Sequence, residues 1–423
     1  MPLSVVEEGE YLGETGKAYL AVGQLGQANV WAAVQKDDHS NIVVLKAPSA
    51  DDTGSSWPRF QHEMVMHELF KDCQYIRKQV DRVPPSETSP PLLVLEIFET
   101  TLWQVRVKRP LSKDEVRVVA RSILQGLKEV HDKGLVYVDV KMQNIMLNGF
   151  DASTSGDGSR LVAKLGDLGI VMEPSRGSAQ PIVYRAPEVF FKGELSPAAD
   201  IWAFGLVVSH LLEAQQRFSS TGLYDDLHVG TGSMFDREQA MRSAIANDYN
   251  IHGMDYYQNC ALPFRDSNHQ PGQHWDQLRN RGLNEAEIDF IKWIMKADPR
   301  QRPDATTILN SDWLSGKSDP RADSHHVSTS RNEEQGNGKP AHVSAGAINP
   351  SSPMAGPPAS SAARPTGESN ERVRPSPIGN KTQDRLSNVL HSNKAPAEPG
   401  ADSSSSAHVD RTAAAGGTYL SYR

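Results

Sequence analysis

The chain has 423 residues, a length that favours two or three structural units over a single core. Its net charge of −8 provides no basic footprint, so nucleic-acid binding is not expected. The two cysteines are far apart in sequence, which excludes a disulfide framework and favours a reducing compartment. No apolar run approaches the roughly 20 residues of a membrane span, and the N-terminus lacks a secretory-signal pattern. We expect a soluble, intracellular protein of the cytoplasm or nucleus, with no membrane partner.

The apolar residues are unevenly distributed along the chain. Residues 1–314 hold nearly all the large apolar side chains, whereas residues 315–423 are mostly Ser, Ala, Pro, Gly, Asn and Arg. Such a composition buries too little apolar surface to offset the chain entropy lost on folding. We therefore predict that 315–423 is a disordered, low-complexity tail. Within it, residues 384–390 favour one short amphipathic turn that forms on binding a partner.

The N-terminal part of the chain favours strands. Two short apolar runs around a glycine-containing turn predict a hairpin over residues 18–34, and a β-branched run predicts a strand at 41–46. Helical spacing of apolar residues follows at 60–71. Another apolar run predicts a strand at 92–98. This first unit, residues 1–98, is expected to be mainly β.

Helical patterns dominate after residue 98. Ser112 with Glu115 forms a capping-box pattern, and apolar spacing predicts a helix from there to about His131. Short strands are predicted at 135–136, 145–147 and 161–165, and mainly helices over 197–314, interrupted by a polar stretch at 219–273. A strand-rich unit, a helix-rich unit (99–314) and a tail (315–423) together indicate a two-lobed α+β enzyme.

The strongest chemical signal is a pair of polar loops. Asp139, Lys141 and Asn144 occur within six residues of one another, and Asp167 follows the predicted strand at 161–165. Such loops supply a proton acceptor, a fixed positive charge and the oxygen ligands that Mg²⁺ prefers, which is what phosphoryl transfer requires. Considered alone, the same residues would be compatible with ordinary polar turns.

These loops belong to a longer series of motifs that resembles the eukaryotic protein kinase superfamily over residues 18–314. The motifs occur in the family's chain order, which makes a chance match improbable. They are Lys46 at the end of a strand, Glu63 on the next helix, Asp139, Lys141 and Asn144 in the catalytic loop, Asp167, Ala186–Glu188, Asp200–Gly205 and Asp298–Pro303.

The resemblance implies ATP and Mg²⁺ as cofactors and assigns a role to each matching residue. Lys46, held by Glu63, would grip the nucleotide phosphates. Asp139 would take the proton of the substrate hydroxyl, with Lys141 as the neighbouring cation. The metal ligands would be Asn144 and Asp167. A buried ion pair between Glu188 and Arg302 would fix the segment that binds the protein substrate.

The adenine site is also implied by the resemblance. The strand at 92–98 is similar to the family's strand that leads into the adenine-binding linker. Leu95 would be the gatekeeper residue, and the backbone of Glu96 and Phe98 would contact the adenine edge. The three apolar residues around the ring would be Val30, Val44 and Met146.

Two departures from the family pattern change the expectations. In the glycine-rich loop only Gly23 remains, because Leu25 and Ala28 replace the other two glycines, so we expect weaker or more mobile nucleotide binding. Val138 replaces the arginine that in the family anchors a phosphorylated activation loop. We therefore expect activity without phosphorylation of this loop. Between Asp167 and Ala186 the only serines are Ser175 and Ser178.

The favoured function is ATP-dependent phosphorylation of serine and threonine hydroxyls on protein substrates by a monomeric enzyme, since Lys141 resembles that class. Two alternatives remain: a pseudokinase that binds nucleotide or serves as a scaffold, and a small-molecule kinase of related fold. The eroded loop and Val138 favour the first alternative. The retained Lys46, Asp139 and Asp167 oppose it. The stretch 219–273 occupies the place of the family's docking helix.

Overall fold

The computed structural model describes residues 6–49, 56–86, 90–216, 218, 222–225, 227, 233–316, 382–384, 386–387 and 390. The chain divides into two compact units, one formed by Met1–Ser318 with Ile378–Arg423 and the other by Asp319–Pro377. All described residues belong to the first unit. Most of the predicted disordered tail therefore lies outside the described residues.

A six-stranded antiparallel sheet forms the N-terminal lobe, with one helix against it. The strands are ordered β1-β2-β3-β4-β6-β5 across the sheet. The predicted hairpin, two strands and helix are confirmed, whereas β1 and β5 were not predicted. The elements are β1 (Gly9–Leu12), β2 (Ala18–Gln24), β3 (Val30–Gln35), β4 (Asp38–Lys46), α1 (Ser56–Leu69), β5 (Gln79–Val83) and β6 (Leu92–Glu96).

A bulge in β2 changes which side of the sheet its last residues face. Ala21 pairs with Ala33, but Gly23 pairs with Ala32, so Val22 is an extra residue in the ladder. Because successive side chains of a strand point to opposite faces, this insertion places Gly23 on the same face as Ala32. That face is covered by α1, since Ala32 and Phe60 of α1 belong to one apolar cluster.

The second lobe is mainly helical. Its strands are short: β7 (Thr100–Thr101), β8 (Ile145–Asn148), β9 (Val162–Leu165), β10 (Ser175–Arg176) and β11 (Glu194–Leu195). Its helices are α2 (Leu102–Val105), α3 (Lys113–Asp132), α4 (Pro187–Lys192), α5 (Pro197–Gln216), α6 (Met234–Asp248), α7 (Gln273–Asn280), α8 (Glu285–Ile294), α9 (Ala305–Leu309) and α10 (Asp312–Ser315). The two-lobed α+β fold predicted from the sequence is confirmed.

Local signals explain the two long helices of this lobe. Helix α3 begins at the predicted capping box, in which Ser112 accepts from the N–H of Glu115 and the Glu115 side chain accepts from the N–H of Ser112. It ends before Gly134, whose positive φ of 72° suits a glycine. Helix α5 is buried on nearly all sides, and Trp202 and Phe204 are fully buried in it. The buried side chains of α3 and α5 belong to the apolar core that supports the catalytic loop.

The described residues of the polar stretch 219–273 include one long helix. Helix α6 occupies Met234–Asp248, with Ser233 as its N-cap. Within the described part of the chain, no helix is long and apolar enough to cross a membrane.

Candidate active site

Lys46 lies at the end of β4, facing α1 and the loop after β9. Its Nζ is 2.7 Å from Oε1 of Glu63 and 3.7 Å from Oδ1 of Asp167. Burial alone would lower the pKa of Lys46, but the charges of Asp167 and Glu63 outweigh it and raise that pKa overall. The ammonium is therefore held charged, between a helix carboxylate and a loop carboxylate.

The catalytic-loop residues lie together after β-bridge residue Val136. Asp139 Oδ2 is 2.9 Å from Lys141 Nζ and accepts a hydrogen bond of 2.8 Å from Asn144 Nδ2. Asp139 Oδ1 is buried and has no partner among the described residues. Burial, the largest effect, raises the pKa of Asp139, and the charge of Asp167 adds to it while Lys141 opposes it. One carboxylate oxygen is thus fixed and the other is left for a further donor.

Asp167 follows β9 with a positive φ of 39°, in the left-handed region. Its Oδ1 accepts from the N–H of Gly169 at 3.2 Å, and nearly half of its side chain is exposed. The charge of Lys46 is the main reason that the pKa of Asp167 is lowered; burial opposes this effect. An ionised, accessible carboxylate therefore lies beside the lysine and close to Asp139, whose pKa it affects.

The residue before Asp139 has a strained backbone. Val138 has a φ of 73°, which is unusual for a β-branched side chain. Asp200 of α5 accepts from the N–H groups of Val138 (2.8 Å) and Tyr137 (2.7 Å), and His131 Nε2 lies 2.9 Å from it. Asp200 belongs to the motif Asp200–Gly205, but its support of the catalytic loop was not predicted from the sequence.

The proposed adenine-binding residues lie on the α1 side of the sheet and beneath it. Val44 pairs with Leu95 across β4 and β6, and Val30 pairs with Lys46 across β3 and β4. Val44 and Leu95 are buried, whereas Val30 is partly exposed. From the other lobe, Met146 of β8 is partly exposed. The expected apolar residues are therefore contributed by both lobes.

The linker after β6 is contacted by a partly buried arginine that was not predicted from the sequence. Arg77 Nε donates to the backbone carbonyl of Glu96 at 2.8 Å. Burial lowers the pKa of the Arg77 guanidinium to about 10, against the raising effect of the Glu96, Glu63 and Asp167 charges. The Glu96 side chain is paired separately, with Lys164 at 2.6 Å. Arg77 therefore hydrogen-bonds the linker at Glu96 and also feels the charges of Glu63 and Asp167, the two carboxylates beside Lys46.

Phe98, the second proposed linker residue, is buried, with the Lys164 ammonium 5.8 Å from its ring centre. No sequence pattern marks Arg77 as a site residue, because it lies between an irregular turn and β5. A partly buried arginine next to an acidic site is found only when the fold is known.

The predicted buried pair of Glu188 and Arg302 is present. Two guanidinium nitrogens of Arg302 donate to the two carboxylate oxygens of Glu188 at 2.8 and 3.1 Å. Both side chains are essentially inaccessible to solvent. The same guanidinium donates to the carbonyl of Lys296, so all of its sides are occupied. The pair ties the end of the segment from Asp167 to Glu188, called here the activation segment, to the C-terminal helices.

These observations agree with the comparisons with known proteins. The family model of the protein kinase domain matches residues 18–314. The chain therefore belongs to the protein kinase family.

Several curated relatives are mitogen-activated or related protein kinases. Mitogen-activated protein kinase HOG1 of Gibberella zeae is 27% identical over 233 residues, which cover 54% of this chain and 59% of that protein. Serine/threonine-protein kinase NLK2 of Xenopus laevis is 28% identical over 233 residues, which cover 51% of this chain and 48% of that protein. Mitogen-activated protein kinase hog-1 of Neurospora crassa is 25% identical. The chain thus spans between about half and three fifths of the relatives it matches.

Proposed function

We propose that this chain transfers the γ-phosphate of ATP to serine and threonine hydroxyls of protein substrates. The observation that carries the proposal is the free, buried Oδ1 of Asp139 beside the ion-paired Lys46, Glu63 and Asp167. Phosphoryl transfer needs little covalent chemistry from the protein, and it depends on positioning and charge. This arrangement provides both from residues of the two lobes.

Asp139 is the proposed proton acceptor. Lys141 and Asn144 hold Oδ2, which orients the carboxylate so that Oδ1 meets an incoming hydroxyl. A pKa raised by burial brings the carboxylate closer to the proton affinity that a general base needs near neutral pH. Lys141 Nζ, 2.9 Å from Oδ2, is placed to contact the transferred phosphoryl group as well.

The remaining residues suit a magnesium nucleotide. Mg²⁺ supplies charge neutralisation at the phosphates, and it is usually held by one or two protein oxygens together with those phosphates. Asp167 offers an ionised, half-exposed carboxylate, and Asn144 uses its amide nitrogen on Asp139, which leaves its carbonyl oxygen for the metal. No group of three or more His, Cys, Asp or Glu side chains that could hold a metal ion occurs in the described ranges.

The names of the relatives support the substrate class. They are mitogen-activated and serine/threonine-protein kinases, and Lys141 at the second position after Asp139 resembles the serine/threonine class. We propose protein substrates, a monomeric enzyme and an intracellular site of action. Helix α6 in the 219–273 stretch is the proposed region for substrate choice.

The test is transfer of the γ-phosphate to a peptide library, with a nucleotide-binding assay run on the same samples. The wild type is compared with Asp139→Ala and with Asp289→Ala, an exposed aspartate of α8 that serves as control. Transfer that is abolished by the first change alone supports the proposal. Nucleotide binding without transfer by the wild type would instead support the pseudokinase alternative.

A further inference from the structure

A short helical segment near the C-terminus packs against the N-terminal lobe. Its described residues 382–384, 386–387 and 390 are helical, which distinguishes it from the predicted disordered tail. Leu386 is only 4% exposed, and Leu390, four residues on, is partly buried. Gln383 and Asp384 are exposed. Residues four apart share one face of a helix, so this segment presents a leucine face to the protein and a polar face to solvent.

The two leucines join the apolar cluster on the α1 side of the N-terminal sheet. Leu386 is one of its buried members and Leu390 packs against it. The other buried members come from the catalytic unit: Leu25, Ala32, Val34, Ile42, Val44, Phe60, Leu93, Leu95 and Ile97. Val44 and Leu95 are two of the proposed adenine-binding residues. The segment therefore shares the apolar surface that a nucleotide ring would use.

The side chain of Leu390 lies close to Gly23. A Cβ added to Gly23 would lie 2.9 Å from Cδ2 of Leu390 and 3.4 Å from its Cδ1. Because the β2 bulge pairs Gly23 with Ala32, this contact is on the cluster side of the sheet. The branched end of Leu390 thus touches the backbone at the start of the loop that is proposed to cover the nucleotide phosphates.

Leu25 adds a second reason why the segment fits this loop. A glycine there would offer almost no apolar surface, whereas the Leu25 side chain is 9% exposed and belongs to the cluster. Covering a leucine that would otherwise face a water-filled cleft is favourable. The same substitution that erodes the phosphate-binding loop therefore adds an apolar side chain to the cluster that contains Leu386 and against which Leu390 packs.

We infer that the helical segment around Leu386 and Leu390 is an intramolecular inhibitor that competes with nucleotide for the face beneath the Gly23 loop. This inference rests on the proposed function, because it assigns the competing ligand to that site. Both partners belong to one chain, so the contact forms at a high effective concentration. Closure in 90% of the molecules would weaken the apparent nucleotide affinity about 10-fold.

The experiment measures equilibrium binding of a fluorescent ATP analogue to the full chain. The variant L386D/L390D puts two carboxylates into the apolar cluster and should release the segment. We expect it to bind the analogue about 10-fold more tightly than the wild type. Gln383→Asp places a single carboxylate on the exposed face of the same segment and should bind like the wild type. Leu390→Ala, a milder change, should give an intermediate affinity.

Two further measurements separate competition from a general loss of structure. Saturating analogue should speed amide hydrogen exchange in peptides that cover 382–390 of the wild type, while exchange in α3 stays slow in every variant. A synthetic peptide of residues 382–390, added to L386D/L390D, should weaken analogue binding again. Equal affinities in all four chains, with normal phosphate transfer, would overturn the competition and leave the proposed function standing. No analogue binding by any chain would overturn both.

Discussion

Asp200 holds Val138 in a backbone conformation that valine alone disfavours. The N–H of Val138 donates to Oδ1 of Asp200 at 2.8 Å, and the residue has a φ of 73°. Left-handed conformations of β-branched residues cost roughly 1–3 kcal/mol. Because Val138 directly precedes Asp139, this strain sets the direction of the proposed proton acceptor. The buried aspartate of α5 is therefore a positioning residue for the catalytic loop.

Asp200→Asn should weaken both the fold and the activity. The new amide replaces one acceptor oxygen with a donor, which leaves the N–H of Tyr137 or Val138 without a partner. An unsatisfied buried donor costs about 1–3 kcal/mol, so the free energy of unfolding in urea should fall by about that amount. Asp289→Asn on the surface of α8 is the control and should change it by less than about 0.5 kcal/mol. An unchanged free energy of unfolding would contradict this role of Asp200.

Asp139→Asn should separate stability from catalysis. Its folded-state pKa is raised, so the ionised carboxylate destabilises the fold above that pKa, and this penalty vanishes below the unfolded-state pKa. At pH 7 the asparagine variant is therefore expected to unfold at the same or a higher temperature. Its turnover should be lower by about 10²-fold or more, because no proton acceptor remains. Thermal unfolding and peptide phosphorylation measured on one preparation provide the check.

The pH dependence of wild-type turnover should report the titration of Asp139. Protonated Asp139 cannot accept a proton, so turnover should fall as the pH falls through its raised pKa. The acidic limb should be absent from the residual turnover of Asp139→Asn. An acidic limb of the same shape in both proteins would assign the titration to another group.

Lys46→Met should abolish phosphate transfer and leave Glu63 as a buried, uncompensated carboxylate. Removing one partner of a buried pair can cost about 3–5 kcal/mol. The double variant K46M/E63Q removes the orphaned charge and should recover much of the stability, but none of the activity. Lys36→Met, which removes an exposed lysine that pairs with Glu10, is the matched control and should be neutral. Full activity of Lys46→Met would exclude Lys46 from the site.

Arg77→Met should loosen the linker that follows β6. The change removes the hydrogen bond to the Glu96 carbonyl, and charged hydrogen bonds contribute about 1.5–3 kcal/mol. We expect a lower unfolding temperature and nucleotide binding that is weaker by about 10-fold. The adjacent Lys78 is exposed and contacts Glu96 only through its backbone, so Lys78→Met is the control. Arg77→Met and Lys78→Met proteins of equal affinity would rule out the bracing role.

Activity should not depend on phosphorylation of the activation segment. Ser175 lies in β10, which pairs with β11, and Arg176 is 2.9 Å from Glu194, so this strand is held without a phosphate. Phosphatase treatment and the S175A/S178A change should each leave turnover within about twofold of the wild type. Activity that is lost on dephosphorylation and regained on phosphorylation of either serine would contradict this expectation.

Sequence patterns predicted the parts of the fold that depend on local periodicity and on motif order. The capping box at Ser112, the apolar spacing of α3 and the pair of Glu188 and Arg302 are examples. Strand β5 was missed because the side chains of Gln79–Val83 are mostly polar. Its place at the sheet edge comes from pairing with β6, which is a long-range contact.

The site residues that went unpredicted share one physical reason. Arg77 and Asp200 act through partners distant in sequence, so nothing near them in the chain marks these roles. Charged and apolar residues of these types are common on surfaces and in loops, and only the folded chain shows that Arg77 contacts Glu96 or that Leu390 contacts Gly23. Leu390 lies in the short amphipathic turn predicted at 384–390, but the sequence pattern did not show that this turn packs on the N-terminal sheet of the same chain.

The pair of Glu188 and Arg302 also constrains when the enzyme can mature during its synthesis. The partners are 114 residues apart in sequence, so Glu188 leaves the ribosome long before Arg302. Until then, burying the Glu188 carboxylate would leave it unpaired, at a cost of several kcal/mol. The activation segment therefore docks only after nearly the whole domain has been translated. Nascent chains shorter than this should remain dependent on chaperones, because long-range closure of this kind delays folding.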